Sequence, residues 1–513
     1  MSLVRSIATV GGWTMGSRVL GFVRDILIAR YLGAGPVADA FFVAFKFPNF
    51  FRRLFAEGAF NASFVPQFAG VLATEGPAEA RRYASATLAV LLTVLMPLTF
   101  LAQGAMPWLM VVVAPGFLAE PATYALAVEL TRITFPYLLF MALVALLGGV
   151  LNSLEKFAAA AGAPIVLNIV LIGALLVLQA PLGAAHALAW GVAAAGIAQF
   201  LLLAVAAERA GMGLSLPWPR LSPRVARTMR LMVPGAMGAG VVQINLVIDV
   251  MLASTLPAGA ISYLYFADRV AQLPLGVVGV AVGIALLPLM SRQLKSGDDA
   301  AALDSQNRAI EFALLLTLPA ATALVTVPQP IVQVLFARGA FGDADAAATG
   351  GALVGFALGL PAYVLIKALA PGFFAREDTA TPVKVAVAAL VVNVAAALAL
   401  MPFLAHVGIA LATALSAWLN ALALGTLLVR RGRFAIDVRL RRRAVGMLLA
   451  SAGMAAALWA AAGALVPWLA GGGTVAFLAL AALVTVGLVV YGGLALIAGA
   501  VQPADFRRFL RRA

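Results

Sequence analysis

Apolar stretches of about twenty residues recur along the whole chain, and each is long enough to cross ~30 Å of hydrocarbon as a helix. Fourteen are readable, near 7–32, 36–67, 84–112, 123–152, 160–180, 184–207, 231–255, 261–291, 309–335, 347–375, 382–403, 407–429, 444–466 and 474–500. A segment in lipid has to satisfy its own backbone hydrogen bonds, which stretches of this length do as helices. The breaks collect glycine, proline and charge, as in LGAGPV at 32–37, APGFLAEPAT at 114–123, LPAGA at 256–260 and VPWLAGGGT at 466–474. The expected fold class is therefore an all-α polytopic membrane protein with about 14 transmembrane helices. The first span carries Arg18 and Arg24 and lacks a small-residue cleavage site, so it is not expected to be a signal peptide.

Composition excludes most other classes. The chain is 63% apolar and 11% charged, where soluble domains carry roughly 45–50% and about 25%. It contains no cysteine, which removes disulfides, thiolate metal sites and cysteine nucleophiles, and only two histidines. No loop is long enough for a catalytic domain, and no G-x-x-x-x-G-K-[ST] sequence is present. The expectation is a transporter, not an enzyme.

The net charge of +14 looks at first like a nucleic-acid signature. Of the 35 lysines and arginines, however, 25 fall in one alternating set of loops and one, Arg338, in the other. Such a split follows the positive-inside rule, and it puts both termini in the cytoplasm with an even number of spans. The basicity is topological, and no nucleic-acid partner is expected.

The sequence also repeats itself at an offset near 225. Pro136 in FPYLLF answers Pro361 in LPAYVL, and Asn168 in VLNIV answers Asn393 in VVNVA. Six spans per repeat give both copies the same orientation, a parallel repeat with a site expected between two lobes. The expected organisation is an N-terminal lobe at 1–210, a C-terminal lobe at 224–431, and two extra helices at 440–513.

Charges inside the spans mark the candidate site, because an arginine or lysine at the bilayer centre costs at least ~2.5–3.5 kcal/mol. Asp39, Lys46 and Arg53 recur every seven residues, and Glu57 follows four later, on one helical face. Arg18, Arg24 and Asp25 lie in the first span, Arg52 in the second, and Asp268 and Arg269 in the eighth. Arg18, Arg24, Lys46, Arg52, Arg53 and Arg269 outnumber their potential partners Asp25, Asp39, Glu57 and Asp268. A cation surplus inside a membrane calls for a wet cavity that receives an anion, and arginine suits forked recognition of phosphate or carboxylate. Arg30, Arg132, Lys156 and Lys384 read instead as pairing or snorkelling side chains. Asp249, four residues after Asn245, and Asp378, opening the D-T-A-T-P turn, suit either a coupling cation or helix capping.

Several longer motifs point to a family. SRVLGFVRD at 17–25, DAFFVAFKFPNFFRRLFAEGAF at 39–60, APGF at 114–117, ITFPY at 133–137, YFADR at 265–269 and KALAPGFFAREDTATPVK at 367–384 resemble the MurJ (MviN) family of lipid II flippases. The resemblance covers essentially the whole chain. It implies the multidrug/oligosaccharidyl-lipid/polysaccharide exporter superfamily, with two six-helix lobes and two extra helices that guide a lipid tail. It also implies a role in peptidoglycan biosynthesis at the bacterial inner membrane, hence in cell-wall biogenesis and cell shape. The implied substrate is lipid II: an undecaprenyl chain, a pyrophosphate, a disaccharide and a peptide, moved by alternating access. Arg18, Arg24 and Arg269 match the family's essential cavity cations, and Asp39, Lys46, Arg52, Arg53 and Glu57 also fall on its motifs. A Na⁺ site of some members would draw here on Asp249 and Asp378, although Phe374 and Leu390 offer no side-chain oxygen. No cofactor is expected, and Na⁺, H⁺ or the membrane potential alone remain as drivers. The alternatives are a drug/cation antiporter or polysaccharide-lipid flippase of the same superfamily, or a polytopic lipid-linked glycosyltransferase. An antiporter would carry an acidic, aromatic cavity, and a glycosyltransferase a carboxylate on a large outer loop.

Overall fold

The computed structural model describes residues 3–51 and 60–501. Its helices are α1 Leu3–Leu32, α2 Pro36–Phe51, α3 Asn61–Glu75, α4 Pro77–Gly104, α5 Met106–Val113, α6 Pro121–Thr134, α7 Tyr137–Ser153, α8 Phe157–Leu182 and α9 Ala184–Arg209. They continue as α10 Pro223–Ser254, α11 Ala260–Lys295, α12 Asp299–Thr326, α13 Pro328–Phe336, α14 Asp343–Leu369, α15 Pro371–Phe374, α16 Ala380–Arg430, α17 Val438–Ala470 and α18 Gly473–Ile497. These fall on all fourteen expected spans, and the chain is an all-α polytopic membrane protein. Among the described residues nine helical segments are long and apolar enough to cross a membrane. The more charged α1, α10 and α11, of 30, 32 and 36 residues, reach the same length.

Proline sets many of the starts. It opens α4, α5, α6, α10, α13 and α15 within the first two positions, where its missing N–H costs no helical hydrogen bond. The repeat-related prolines behave differently: Pro136 sits at the break between α6 and α7, whereas Pro361 lies inside the continuous α14. The longest helix, α16, runs 51 residues and takes in two expected spans. It is bent at one residue, Ala405 (φ 47°, ψ −129°), so no loop separates the two halves. His406 is half-buried beside that bend, its Nε2 2.9 Å from the Ala348 carbonyl oxygen.

The chain forms two compact units, Met1–Ser262 with Arg338–Phe341, and Tyr263–Ala337 with Gly342–Ala513. Helix α10, expected to open the second lobe at 224, packs within the first unit on α2, α3, α4 and α5. Side-chain chemistry accounts for this. The Tyr83 hydroxyl is bonded to Thr228, Arg224 pairs with Glu75, and the Ser254 hydroxyl accepts the Gly116 N–H at 3.1 Å. Phe60, Phe64, Phe68 and Tyr83 form a stack in the core of this unit, with neighbouring ring centroids 5.1–5.5 Å apart.

In the second unit α17 and α18 pack on each other and on α12. Met447, Met454 and Leu458 meet Leu480 and Leu483, and the Tyr491 hydroxyl donates to the Leu315 carbonyl at 2.9 Å. An ionic knot holds the start of α17: buried Glu311 accepts from Arg308, Arg439 and Arg443, and Arg308 also reaches Asp437. Asp437 in turn caps Leu440. These arginines count toward the charge asymmetry, but three of them are also tied into the packing.

The APGF motif gains a packing role from this arrangement. A Cβ on Gly116 would lie 1.9 Å from the Ser254 carbonyl oxygen, whereas one on Gly104 would meet nothing within 4 Å. Gly116→Ala is expected to destabilise the protein by about 1–3 kcal/mol through overpacking, and Gly104→Ala to leave it unchanged or firmer. Thermal unfolding of the two purified variants in one detergent checks the contrast.

Candidate functional site

The first span does not present its charges as equals. Arg24 and Asp25 are buried at 6% and 3% exposure. The Arg24 guanidinium grips Asp25 Oδ1 through Nε at 3.1 Å and Nη2 at 2.8 Å, and its Nη1 donates to Asn168 Oδ1 at 2.9 Å. Asn168 returns a donor to the Ser17 carbonyl at 2.9 Å, which fastens α8 to α1. The Phe45 ring lies 5.7 Å from the guanidinium carbon. Desolvation makes a buried ion pair costly unless its remaining donors are satisfied, and here Asn168 supplies that satisfaction. Arg18, six residues earlier on α1, is half-exposed and joins no ion pair among the described residues.

On α2 the expected stripe is only partly a stripe. Asp39 is 3% exposed and turned to the start of α11, where it accepts from Gly259 N at 2.7 Å, Ser262 N at 2.8 Å and Ser262 Oγ at 2.5 Å. The sequence makes it a potential partner for the cations of the spans. Instead it caps another helix, because free N–H groups at a helix start are stronger local partners than a lysine two turns away. Lys46 lies half-buried on the same helix, seven residues from Asp39. Arg52, Arg53 and Glu57 lie outside the described residues.

On α11, Arg269 is 29% exposed, pairs with Asp268 at 3.2 Å and lies 5.1 Å from the centre of the Tyr265 ring. Gln272, on the face of Arg269 by spacing, bonds Asp268 instead. The aromatic ring and the carboxylate hold the guanidinium at a partly open position.

The two coupling candidates are engaged locally. Asp249 accepts from Asn245 at 3.4 Å. Asp378 accepts from Thr381 N at 3.0 Å and Thr381 Oγ1 at 2.8 Å, and pairs with Arg431 at 2.6 Å. Those bonds, led by the Thr381 backbone, pull the Asp378 carboxyl from 3.8 down to about 2. Asp378 is thus a cap and an ion-pair partner at the entry to α16. Among the described residues no group of three or more histidines and carboxylates gathers as a metal site.

Sequence reasoning did not assign Asn168 to the site, although two signals marked it: an amide in an apolar span, and a counterpart at Asn393. Both asparagines are buried. Phe45 and Tyr265, which face the two guanidiniums, carried no separate signal in so aromatic a chain.

Comparison with known proteins fits this geometry. The family model described as "Lipid II flippase MurJ" matches residues 28–484. The chain is 49% identical over 453 residues to the "Probable lipid II flippase MurJ" of Rhizobium tropici, covering 87% of this chain and 85% of that protein. It is 36% identical over 437 residues to the "Lipid II flippase MurJ" of Burkholderia cenocepacia, covering 84% and 85%. Among solved structures it resembles "Lipid II flippase MurJ, inward closed conformation" with a TM-score of 0.80 at 25% identity, covering 95% of this chain and 98% of that one. An inward-facing multidrug transporter of the MATE family is similar in fold, with a TM-score of 0.69 at 15% identity over 81% of this chain and 94% of its own.

The Arg24 network sets an order of stabilities. Asp25→Asn leaves a buried arginine without its counter-charge and is expected to cost about 3–5 kcal/mol. Asn168→Ala removes one charge-assisted bond and is expected to cost about 1–3 kcal/mol. Thermal or denaturant unfolding of both variants gives the order, and equal stabilities would show that the pair is solvated.

Proposed function

We propose a working cycle for this chain, which belongs to the lipid II flippase MurJ family: it moves lipid II across the bacterial inner membrane by alternating access, with its head group held on arginines. Half-exposed Arg18, a cation with no ion pair among the described residues in a helix of membrane-spanning length, is the observation that carries this reading. A pyrophosphate offers such a guanidinium a bidentate partner that water and lipid do not. Arg269, kept partly open by Asp268 and Tyr265, is a second guanidinium suited to a phosphate. Lys46, Arg52 and Arg53 add cations from the second span. Arg24 acts differently: it fixes α1 against α8, and its charge is largely answered by Asp25.

Both termini lie in the cytoplasm in this reading, as the loop charges require. The undecaprenyl tail stays in lipid along α17 and α18, since α18 contains no charged residue and α17 carries its arginines only in its first turns. The membrane potential returns the empty carrier. Each elementary charge crossing 100 mV is worth about 2.3 kcal/mol, and an interior-negative potential draws a cationic carrier inward. The bonds already made by Asp378 favour this driver over a Na⁺ site at that carboxylate.

Flipping of lipid II in vesicles reconstituted with the purified protein tests the assignment. Arg18→Ala and Arg269→Ala are expected to reduce flipping at least about tenfold with unfolding unchanged, and lysine at either site to restore it only in part. Arg24→Ala is expected to lose both flipping and stability. Full flipping by Arg18→Ala would remove the head-group role. In the same vesicles, collapsing the potential at constant Na⁺ and pH is expected to stall flipping; an unchanged rate under those conditions would refute the potential as driver.

A further inference from the structure

A second polar cluster lies on the first unit, outside the network of Arg24. A groove of about 550 Å³ opens between α5, α6 and α9, walled by Pro107, Tyr124, Ile133 and Trp190 and bearing Glu129 and Arg132. Its level in the bilayer follows from the chain. Helices α8 and α9 are joined through Gly183 (φ 80°), and His186, in the first turn after it, lies 3.2 Å from Glu129. Glu129 therefore stands where this hairpin meets water, with Trp190 one turn farther in. Exposed tryptophan and tyrosine at that height are typical of the head-group zone.

The charges in the groove are arranged unusually. Glu129 and Arg132 are three residues apart on α6, a spacing at which opposite charges ordinarily pair. Among the described residues no ion pair joins them. Arg132 Nε donates instead to the Gln103 carbonyl at 3.0 Å, and Gln103 Nε2 returns a bond to the Arg132 carbonyl at 3.1 Å. That exchange closes the carbonyl end of α4 at its break with α5 and anchors the guanidinium by one edge. Its two Nη groups have no protein acceptor among the described residues, and the Arg132 side chain is exposed. Tyr124 is fixed by its own bond to the Pro107 carbonyl at 2.7 Å, so the wall is rigid.

We propose that this groove seats one zwitterionic glycerophospholipid of the surrounding bilayer, its phosphate on the Arg132 Nη groups and its ammonium on Glu129. The chemistry selects this occupant. A forked donor suits a phosphate, a carboxylate one turn away suits an amine, and the apolar walls suit the first carbons of an acyl chain. A phosphatidylglycerol head group would place its phosphate on Arg132 but bring Glu129 no amine, and a water-soluble anion would leave the walls uncovered. The seat shares no residue with the cations assigned to the transported head group and does not depend on that assignment.

Native mass spectrometry of the full-length protein, released from micelles containing equal phosphatidylethanolamine and phosphatidylglycerol, tests the proposal. The expected result is one retained phosphatidylethanolamine, bound about tenfold more tightly than phosphatidylglycerol. Arg132→Gln is expected to lose that retention. Because Arg132 also closes α4, Glu129→Gln supplies the independent arm: it leaves the α4 contact intact and is expected to erase the preference between the two lipids. Equal retention of both lipids by the native protein, or an undiminished preference in Glu129→Gln, would overturn the proposal. Displacement by glycerophosphoethanolamine, which has the same head group and no acyl chains, at concentrations matching the lipid would also overturn it.

Discussion

A charge in a low-dielectric interior has to be answered by an opposite charge, by dipoles or by water, and each buried charge described here is answered in one of these ways. Arg24 is met by Asp25 and completed by Asn168. Asp39 is met by backbone dipoles at the start of α11. Glu311 is met by three arginines. Each answer joins helices that apolar packing alone would leave free to slide: α1 to α8, α2 to the start of α11, and α12 to α17. In lipid, where side chains gain little from leaving one apolar surroundings for another, such polar ties carry much of the specificity of packing.

The same requirement separates structural from functional charge. Arg24, engaged on Asp25 and Asn168, has little left to offer a ligand, whereas Arg18 and Arg132 each keep donors that no protein group takes among the described residues. The first suits a travelling pyrophosphate and the second a resident phosphate, and their surroundings differ accordingly. Arg18 stands on a helix whose one buried charge pair, Arg24 with Asp25, is already closed. Arg132 stands beside an acid and a tryptophan at the edge of the hairpin.

The fold was legible because bilayer thickness fixes the length of each span and the chain marks every break with glycine, proline or charge. Fourteen apolar stretches could be counted, and helices occupy their described residues. The allocation of partners was less legible. A sevenfold spacing correctly put Asp39 and Lys46 on one helix, but spacing along a helix carries no information about Gly259 and Ser262, which lie 220 and 223 residues away. Adjacent residues such as Arg24 and Asp25 point in different directions by helical geometry, yet the long arginine side chain folds back far enough to clasp its neighbour. Cation counting likewise overstated the charge open to substrate, because Asn168, a neutral residue, completes the burial of Arg24. Signals of that kind reside in tertiary proximity, and a buried amide repeated at a fixed offset was the nearest the sequence came to showing one.

The capping of α11 by Asp39 has a consequence for biosynthesis. The donors of this carboxylate are made long after it: Ser262 follows Asp39 by 223 residues, which at about 5–20 residues per second is roughly 10–45 s of translation. Throughout that interval the second helix carries a polar carboxyl side chain whose permanent partners do not yet exist. The lowest-cost place for it is the wet edge of the membrane, so α2 cannot settle at its final depth when it is inserted. Its last adjustment waits for the eighth span, and the N-terminal half of the protein matures only as the C-terminal half begins to arrive.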